Sequence, residues 1–227
     1  MENIAAALRA LRARVSELER RYDRPAGSVG LVAVSKTKPA EAVVAAYAAG
    51  QRDFGENQLQ DARSKIEALR DLDIVWHFIG PIQSNKTRGV AEAFSWVHSL
   101  DRVKIAKRLN DQRPEGMPAV QVCIQVNVSG EATKSGIRLE ELEEFTSIVS
   151  ALPRLRLRGL MTIPEPAEDL EAQRLPFRQL KQAMLELNQS GFELDTLSMG
   201  MTDDMEAAIA EGATWVRIGT AIFGPRD

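Results

Sequence analysis

Hydrophobic residues recur along this chain in two alternating patterns. Short apolar runs rich in Val, Leu and Ile, such as the one from Gly30 to Val34, predict strands that are buried on both faces. Between these runs lie longer segments whose apolar residues fall three or four positions apart, and such segments predict amphipathic helices. Strict alternation of strand and helix with short connections favours a parallel sheet.

The alternation repeats eight times. Strands are predicted over residues 29–35, 53–57, 74–79, 96–99, 119–128, 155–162, 196–198 and 215–218. Helices between and after them are predicted to end near residues 49, 70, 93, 112, 152, 189 and 210. Eight such units in about 200 residues fit a single (β/α)8 TIM barrel. A doubly wound open sheet is the alternative, but no predicted strand is followed by the Gly-x-Gly-x-x-Gly turn of that fold.

An additional helix precedes the first strand, so it lies outside the repeating pattern. Its apolar positions are three or four apart, at Ile4, Leu8, Leu11, Val15 and Leu18. We therefore expect one domain without an interdomain linker, in which residues 1–24 contain the extra helix and residues 29–227 form the barrel.

Composition and charge exclude several classes of function. Of the 227 residues, 44% are hydrophobic and 27% charged, which is typical of a globular protein. The net charge of -3, with interspersed signs, gives no electrostatic footprint for nucleic acid or an acidic membrane. No apolar stretch approaches the roughly 18 residues of a membrane helix, and the N-terminus lacks the apolar core of a secretion signal. We expect a cytoplasmic protein.

The chain offers few metal ligands or redox groups. One cysteine, Cys123, excludes an internal disulfide, and it lies in an apolar run typical of a core position. The two histidines, His77 and His98, have no carboxylate or second histidine at metal-ligand spacing. We expect no metal site.

Polar residues follow the predicted strands, whereas the strand interiors are apolar. In a parallel barrel the carboxyl ends of all strands meet at one rim, which is where active sites of this fold lie. These ends carry Ser35-Lys36, Glu56-Asn57, His77, His98-Ser99, Asn127, Thr162, Ser198 and Arg217. The pattern predicts a ligand site at that rim.

Two loops at the rim have the character of a phosphate site. Residues 198–202 follow the seventh strand and Gly219-Thr220 follow the eighth, which are the usual phosphate-binding positions of the fold. Their glycines permit close backbone approach, and their hydroxyls can donate hydrogen bonds. A competing interpretation is that Thr202 or Asp203 simply caps the next helix, with Glu206 completing a capping box when Asp203 is the cap. Both Asp203 and Asp204 would have to point away from a bound phosphate.

Lys36 is a charge at the end of a buried apolar run. Taken alone, a solvated lysine is the simpler interpretation. Opposite a phosphate loop, however, a lysine in a partly apolar pocket has a lowered pKa and can attack a carbonyl to form a Schiff base. A carbonyl together with a phosphate indicates either a sugar-phosphate aldolase or pyridoxal 5′-phosphate.

Other charged or titratable residues have two interpretations each. Arg217 ends a buried strand and would by default form structural salt bridges, but facing a pyridine nitrogen it would keep that nitrogen unprotonated and weaken the ring as an electron sink. His77 and His98 are first of all hydrogen-bonded core histidines, with a role in the site second. Lys86 and Lys134 lie in loops near the rim, where they would attract an anion or simply be solvated.

Several motifs, in order along the chain, resemble the pyridoxal phosphate homeostasis protein family. They are Val32-Ala33-Val34-Ser35-Lys36, Phe54-Gly55-Glu56-Asn57, Trp76-His77-Phe78-Ile79-Gly80, Lys134-Ser135-Gly136, Arg158-Gly159-Leu160-Met161, Ser198-Met199-Gly200-Met201 and Arg217-Ile218-Gly219-Thr220. The resemblance extends from the first strand to the C-terminus. It implies a barrel like the N-terminal domain of alanine racemase.

The resemblance also implies a cofactor and its ligands. Pyridoxal phosphate would be carried as a Schiff base on Lys36, and Arg217 would face the pyridine nitrogen. Asn57 and His77 would line the ring pocket. The phosphate would be held by backbone and side chains of two loops, at Ser198, Gly200, Met201, Gly219 and Thr220. Family members are described as having no established turnover and as helping to maintain the cellular cofactor pool.

Two enzymatic alternatives remain open at this stage. A pyridoxal phosphate-dependent racemase or decarboxylase of the same fold would add a β-domain and use its tyrosine as acid/base, whereas Tyr22 and Tyr47 fall on predicted helices away from the rim. An aldolase would want a second lysine or an acid within the strand interiors, where we expect none. We expect a cofactor-binding protein that is monomeric and has pyridoxal phosphate-dependent apoenzymes as partners.

Overall fold

Eight parallel strands pair in chain order and close into a barrel, β1 to β8, in the computed structural model, which describes residues 2–130 and 135–225. The strands are β1 Gly30–Val34, β2 Asp53–Glu56, β3 Val75–Phe78, β4 Trp96–Leu100, β5 Val120–Gln125, β6 Leu155–Met161, β7 Thr196–Ser198 and β8 Trp215–Ile218. The predicted (β/α)8 TIM barrel is confirmed.

Helices follow the strands and form the outer layer. They are α1 Glu2–Arg21, α2 Ala40–Ala48, α3 Leu59–Ala68, α4 Thr87–Ala93, α5 Val103–Gln112, α6 Leu142–Ser150, α7 Leu170–Gln189, α8 Met205–Ala210 and α9 Thr220–Phe223. Among the described helices, none is long and apolar enough to cross a membrane.

The strands keep their predicted bounds to within one residue, except at the end of β5. The fifth strand was expected to reach residue 128, but it ends at Gln125; the Val126 N–H still donates to the Met161 carbonyl of β6 at 2.8 Å, and beyond it the backbone pairs with Ile137. The backbone N–H of Asn127 donates to the Ile137 carbonyl, and the Ile137 N–H donates to the Gln125 carbonyl, both at 2.9 Å. Apolar periodicity cannot detect this change of partner, because Val126 is buried whichever segment the backbone pairs with.

Strand alternation divides the buried residues into two layers. The inner layer fills the barrel and contains Trp96, Cys123 and Met161 packed with Val75. Burial raises the pKa of the Cys123 thiol to about 12, which keeps it a protonated core residue. The outer layer, between barrel and helices, holds the larger apolar cluster, in which Phe54 is fully buried.

Helix α1 packs against α2, α8 and α9 and buries Leu8 and Leu18 completely. Its strongest polar attachment is Glu19, which is almost fully buried. The Glu19 carboxylate accepts hydrogen bonds from the backbone N–H groups of Val29 at 2.9 Å and Gly27 at 3.1 Å. The end of the extra helix is thus tied to the residues that lead into β1.

Replacing Glu19 by Ala should destabilise the helix and the barrel together. The substitution leaves two backbone N–H groups without their charged acceptor, and each such loss costs about 1–3 kcal/mol. We expect urea unfolding to show a free energy lowered by about 2–5 kcal/mol in one transition. Glu17→Ala is the matched control, because Glu17 is exposed and solvent screens its pairing with Arg14, so its removal should change the free energy of unfolding little. Equal effects of the two substitutions would contradict this role of Glu19.

Candidate cofactor site

A cavity of approximately 530 Å³ opens at the carboxyl ends of the strands. This volume lies within the range of ordinary cofactor pockets. Its described lining brings together six of the residues singled out from the sequence: Lys36, Asn57, Met201, Arg217, Gly219 and Thr220. The cavity therefore joins the lysine, the arginine and parts of both predicted phosphate loops.

Lys36 lies in a tight turn directly after β1. The Ser35 N–H still bonds to the Gly55 carbonyl of β2 at 3.0 Å, whereas the Lys38 N–H turns back to the Ser35 carbonyl at 3.1 Å. Thr37 has a φ of 66°, a left-handed conformation that is unusual for a β-branched residue. Such a conformation costs about 1–3 kcal/mol and persists where surrounding contacts impose it.

A buried ion pair supports this turn from outside the barrel. Strand alternation directs Glu56 away from the cavity, toward α3, where its Oε1 accepts from Lys65 Nζ at 2.5 Å and from Ser35 Oγ at 2.6 Å. Lys65 Nζ also donates to the Ser35 carbonyl at 2.8 Å. Glu56 and Lys65 are both buried, and together they fasten the ends of β1 and β2 to α3.

Burial dominates the electrostatics of this pair. It raises the pKa of the Glu56 carboxyl, although the hydrogen bonds from Lys65 and Ser35 oppose the rise. Within the described residues, the second carboxylate oxygen of Glu56 has no hydrogen-bond partner. The sequence pattern places Glu56 at the rim but does not indicate Lys65, because a lysine on a helix is ordinarily assigned to solvent.

Arg217 forms the floor of the cavity and is almost fully buried. Its Nη1 donates to Ser198 Oγ at 2.8 Å, and its Nη2 donates to the Thr162 carbonyl at 3.0 Å. Burial lowers the pKa of the guanidinium to about 10, so it remains a cation at neutral pH. Arg217 is held by a hydroxyl and a carbonyl rather than by the salt bridge that was its default interpretation.

A chain of hydrogen bonds continues from Arg217 into the barrel. Ser198 Oγ lies 2.6 Å from His98 Nδ1, and His98 Nε2 lies 2.9 Å from His77 Nδ1. The chain ends at Asp53, whose Oδ1 lies 3.0 Å from His77 Nε2. Burial lowers the pKa of both imidazoles, and that of His98 falls well below its ordinary value. The core-histidine interpretation of His77 and His98 is supported by these contacts.

Three residues expected to bind the cofactor are absent from the described lining of the cavity: His77, Ser198 and Gly200. His77 and Ser198 belong to the buried chain beneath the floor. Gly200 has a φ of 96°, and a Cβ on it would lie 2.5 Å from the Cβ of Ala208. Its role in the structure is to let the loop pack directly on α8.

Acidic residues at the phosphate loops are arranged differently from the sequence expectation. The capping-box interpretation is wrong, because Asp204 rather than Asp203 is the N-cap residue of α8. Glu206 turns instead toward α1 and accepts hydrogen bonds from Arg14 and from the hydroxyl of Tyr22, just after that helix. Asp204 Oδ1 instead accepts from the Met201 N–H at 2.5 Å. Asp203 lines the cavity, so its carboxylate would lie close to a bound phosphate, which is unfavourable.

The position of Asp53 contradicts another expectation from the sequence. The strand interiors were predicted to carry no acid, yet Asp53 begins β2 and its carboxylate reaches the fully buried His77. The short, polar segment 53–56 offered no apolar alternation from which the inward face could be read.

Remaining candidates fall outside this cavity. Lys86 lines a neighbouring cavity of approximately 400 Å³ that shares Asn57 and Pro81 with the first one. Lys134 lies outside the described residues. Within residues 2–130 and 135–225, no group of three or more His, Cys, Asp or Glu side chains is arranged to hold a metal ion.

Comparison with known proteins gives a consistent family relationship. Residues 7–227 match the family model described as alanine racemase, N-terminal domain. The chain is 59% identical over 227 residues to the pyridoxal phosphate homeostasis protein of Pseudomonas aeruginosa, covering 100% of this chain and 97% of that protein. The protein of the same name from Escherichia coli is 52% identical over 230 residues, with 100% and 98% covered.

The chain belongs to the pyridoxal phosphate homeostasis protein family.

Solved structures place this family member among barrels of the same shape. The structure of PipY from Synechococcus elongatus with pyridoxal phosphate bound has a TM-score of 0.86 and 39% identity, covering 97% of this chain and 100% of that one. Alanine racemase of Corynebacterium glutamicum shares the fold, with a TM-score of 0.69, 17% identity and 98% of this chain but 60% of that chain covered.

Removing the buried cation beside Glu56 should destabilise this homeostasis-family protein strongly. Lys65→Met leaves a buried carboxylate uncompensated, which typically costs about 3–5 kcal/mol. Arg63→Met is the matched control on the same helix, because the Arg63–Glu92 pair is exposed and should contribute less than about 1 kcal/mol. Urea unfolding measures both, and Lys65→Met combined with Glu56→Gln should recover most of the loss. A cost for Lys65→Met no larger than that for Arg63→Met would contradict the assignment.

The two buried histidines should make the stability depend on pH. In the unfolded chain they titrate near pH 6.5, whereas burial depresses the pKa of both in the folded protein. Between these values the unfolded chain binds more protons, so the free energy of unfolding rises with pH. The stabilisation is complete above about pH 6.5 and is lost as the pH falls toward the folded-state pKa values.

The measurement is urea unfolding of the cofactor-free protein between about pH 5.5 and pH 7.5. We expect a slope of up to about 1.4 kcal/mol per pH unit for each histidine. His98→Gln, whose side chain does not titrate, should lower the slope, since His98 has the larger depression. A free energy of unfolding that is constant over this range would contradict the buried, neutral state of the pair.

Proposed function

We propose that this protein binds pyridoxal 5′-phosphate in the rim cavity, with Lys36 as the residue of covalent attachment, and that it maintains the cofactor pool of the cytoplasm. The observation that carries the proposal is the shared lining, since one cavity holds a lysine, a buried guanidinium and a glycine–threonine loop end. The names of the relatives and the cofactor bound to PipY support it.

The residues present fit this cofactor. A Cβ on Gly219 would approach the Val34 carbonyl oxygen to 3.2 Å, so a larger residue would crowd the wall at the point where the phosphate is proposed to bind. We assign the phosphate to the backbone of Met201 and Gly219 and to the Thr220 hydroxyl, and the ring environment to Asn57 and Arg217. Bound pyridoxal phosphate supplies a reactive carbonyl and an electron sink.

Three of the expected ligands act indirectly in this proposal. Ser198 and His77 hold Arg217 through the buried chain, and Gly200 lets its loop pack on α8. Met201 is also affected by Asp204, because its N–H becomes available to a phosphate only when the Asp204 carboxylate moves away.

We propose a carrier rather than an enzyme. Racemisation or decarboxylation needs a group that moves a proton at the substrate carbon. Lys36 could serve as such a group on one face of that carbon, but racemisation needs a second group on the other face. The described lining contains no histidine or tyrosine for this role, its carboxylate is that of the exposed Asp203, and Lys38 donates to the Pro225 carbonyl. Tyr22 is bonded to Glu206 instead. The racemase or decarboxylase alternative predicts turnover of alanine, serine or lysine above about 1 per second, an ordinary enzymatic rate.

Partners and assembly are part of the same proposal. A carrier needs recipients, and we propose apoenzymes that depend on pyridoxal phosphate. Adding the loaded protein to such an apoenzyme should restore the activity of the apoenzyme faster than adding the same concentration of free pyridoxal phosphate. The free-cofactor sample also contains an inactive protein, so that both samples have the same total protein concentration. We propose a monomer, which light scattering at the mass of one chain would support and at twice that mass would contradict.

Attachment at Lys36 is tested by colour and by peptide mapping. The purified protein mixed with pyridoxal phosphate should be yellow, and borohydride should fix a phosphopyridoxyl group on Lys36. Lys104→Met is a matched control, because Lys104 lies on α5 outside the described cavity lining and should leave colour and adduct unchanged. A preparation that stays colourless would overturn the proposed function, and an adduct on Lys86 or Lys134 alone would overturn the residue assignment.

A further inference from the structure

The buried chain of hydrogen bonds crosses the barrel from one end to the other. Asp53 is the first residue of β2, at the end opposite to the cavity, and its side chain is 27% exposed. Asn57, at the cavity, is four residues further along, which corresponds to about 13 Å of extended strand. Between the two ends, His77, His98 and Ser198 are fully buried.

The donor-only guanidinium of Arg217 and the acceptor-only carboxylate of Asp53 together set the direction of the hydrogen bonds in this chain. A guanidinium has donors and no acceptor, so Ser198 Oγ accepts from Arg217 and is free to donate its own proton to His98 Nδ1. The His98 Nε2–H then donates to His77 Nδ1, and the His77 Nε2–H donates to the Asp53 carboxylate. Every donor has an acceptor, and both imidazoles are neutral with the proton on Nε2.

The reverse arrangement is unfavourable. If His98 Nδ1 donated to Ser198, neutral His98 would have to accept at Nε2 from His77 Nδ1. Neutral His77 would then present the lone pair of Nε2 to the Asp53 carboxylate, and the Ser198 proton would lose its acceptor in the chain. Buried groups with such a mismatch cost several kcal/mol, at about 1–3 kcal/mol for each unsatisfied group.

Aromatic contacts hold one ring of the chain in place. The His77 ring stacks on Trp96 with centroids 5.6 Å apart and an interplanar angle of 9°. The His77 and Trp215 rings meet in an edge-to-face arrangement, with centroids 5.4 Å apart. Since packing restricts rotation of His77, the protonation pattern rather than the ring orientation is the variable that remains, and Asp53 determines that pattern.

We propose that Asp53 is a positioning residue for the cofactor, acting through His77, His98 and Ser198 on Arg217. The inference rests on the proposed function, because it assigns to Arg217 the bound ring of pyridoxal phosphate. With Asp53 in place, the Ser198 oxygen faces the guanidinium and its proton faces His98. Without that acceptor, His77 no longer needs its proton on Nε2, the two imidazoles lose their single tautomer, and Ser198 loses its fixed orientation toward Arg217.

The first experiment uses the cofactor-free protein labelled with ¹⁵N at histidine. Proton–nitrogen correlation spectra distinguish the two tautomers of each imidazole. In the wild type we expect both histidines to carry the proton on Nε2. A His98 protonated at Nδ1 in the wild type would overturn the proposed chain, whatever the variants do.

The second experiment compares Asp53→Ala with Asp53→Glu, which keeps an acceptor-only carboxylate for His77 Nε2–H at a partly exposed position. Asp53→Ala should alter the spectra of both histidines, shift the absorption band of bound pyridoxal phosphate and speed its dissociation by about 3- to 30-fold. Asp53→Glu should remain within about twofold of the wild type, as should a surface control, Asp71→Ala.

The outcomes separate this inference from the proposed function. A wild-type protein that binds no pyridoxal phosphate overturns the proposed function and the link to the cofactor, while the tautomers still decide whether the chain exists. Normal binding by the wild type, together with an unchanged band and dissociation rate in Asp53→Ala, overturns the positioning role alone. A loss in Asp53→Ala that Asp53→Glu restores supports it.

Discussion

A guanidinium group buried inside a closed barrel needs hydrogen-bond acceptors, because burial without them costs far more than the domain can offset. Arg217 obtains one acceptor from the Thr162 carbonyl and one from the Ser198 hydroxyl. The serine must in turn dispose of its own proton, and His98 accepts it. The hydrogen bonds that begin at this buried charge thereby continue through Ser198, His98 and His77 as far as Asp53.

A second set of buried charges lies on the other side of the same wall. Strand alternation sends Asp53, Gly55 and Asn57 inward and Phe54 and Glu56 outward. The inner face is closely packed at Gly55, since a Cβ there would lie 2.9 Å from a Val32 methyl group. The outward Glu56 meets Lys65 behind the turn that carries Lys36. The turn is therefore supported by an apolar inner face and by an ion pair behind it.

Sequence reasoning predicts best where the local pattern and the global fold agree. The bounds of β7 and β8 and the end of α7 coincide with the prediction, because polar residues and turns delimit them sharply. It finds Lys36 and Arg217 because a charge at the end of an apolar strand is conspicuous. It misses Lys65 and Asp53, whose burial depends on partners distant in the chain. Period-two alternation did contain a usable indication, since it places His77 on the same face as Val75 and the next strand places His98 with Trp96.

The buried chain also bears on the proposal that this cavity holds a cofactor without catalysing a reaction on it. A catalytic base needs a lone pair that is not already accepting a hydrogen bond and that can reach the substrate. Both imidazoles have their nitrogens committed within the chain, and both lie beneath the floor. Arg217 adds a fixed positive charge which, facing a pyridine nitrogen, disfavours protonation of that nitrogen and weakens the ring as an electron sink. The residues that anchor the floor thus favour retention of pyridoxal phosphate over proton transfer.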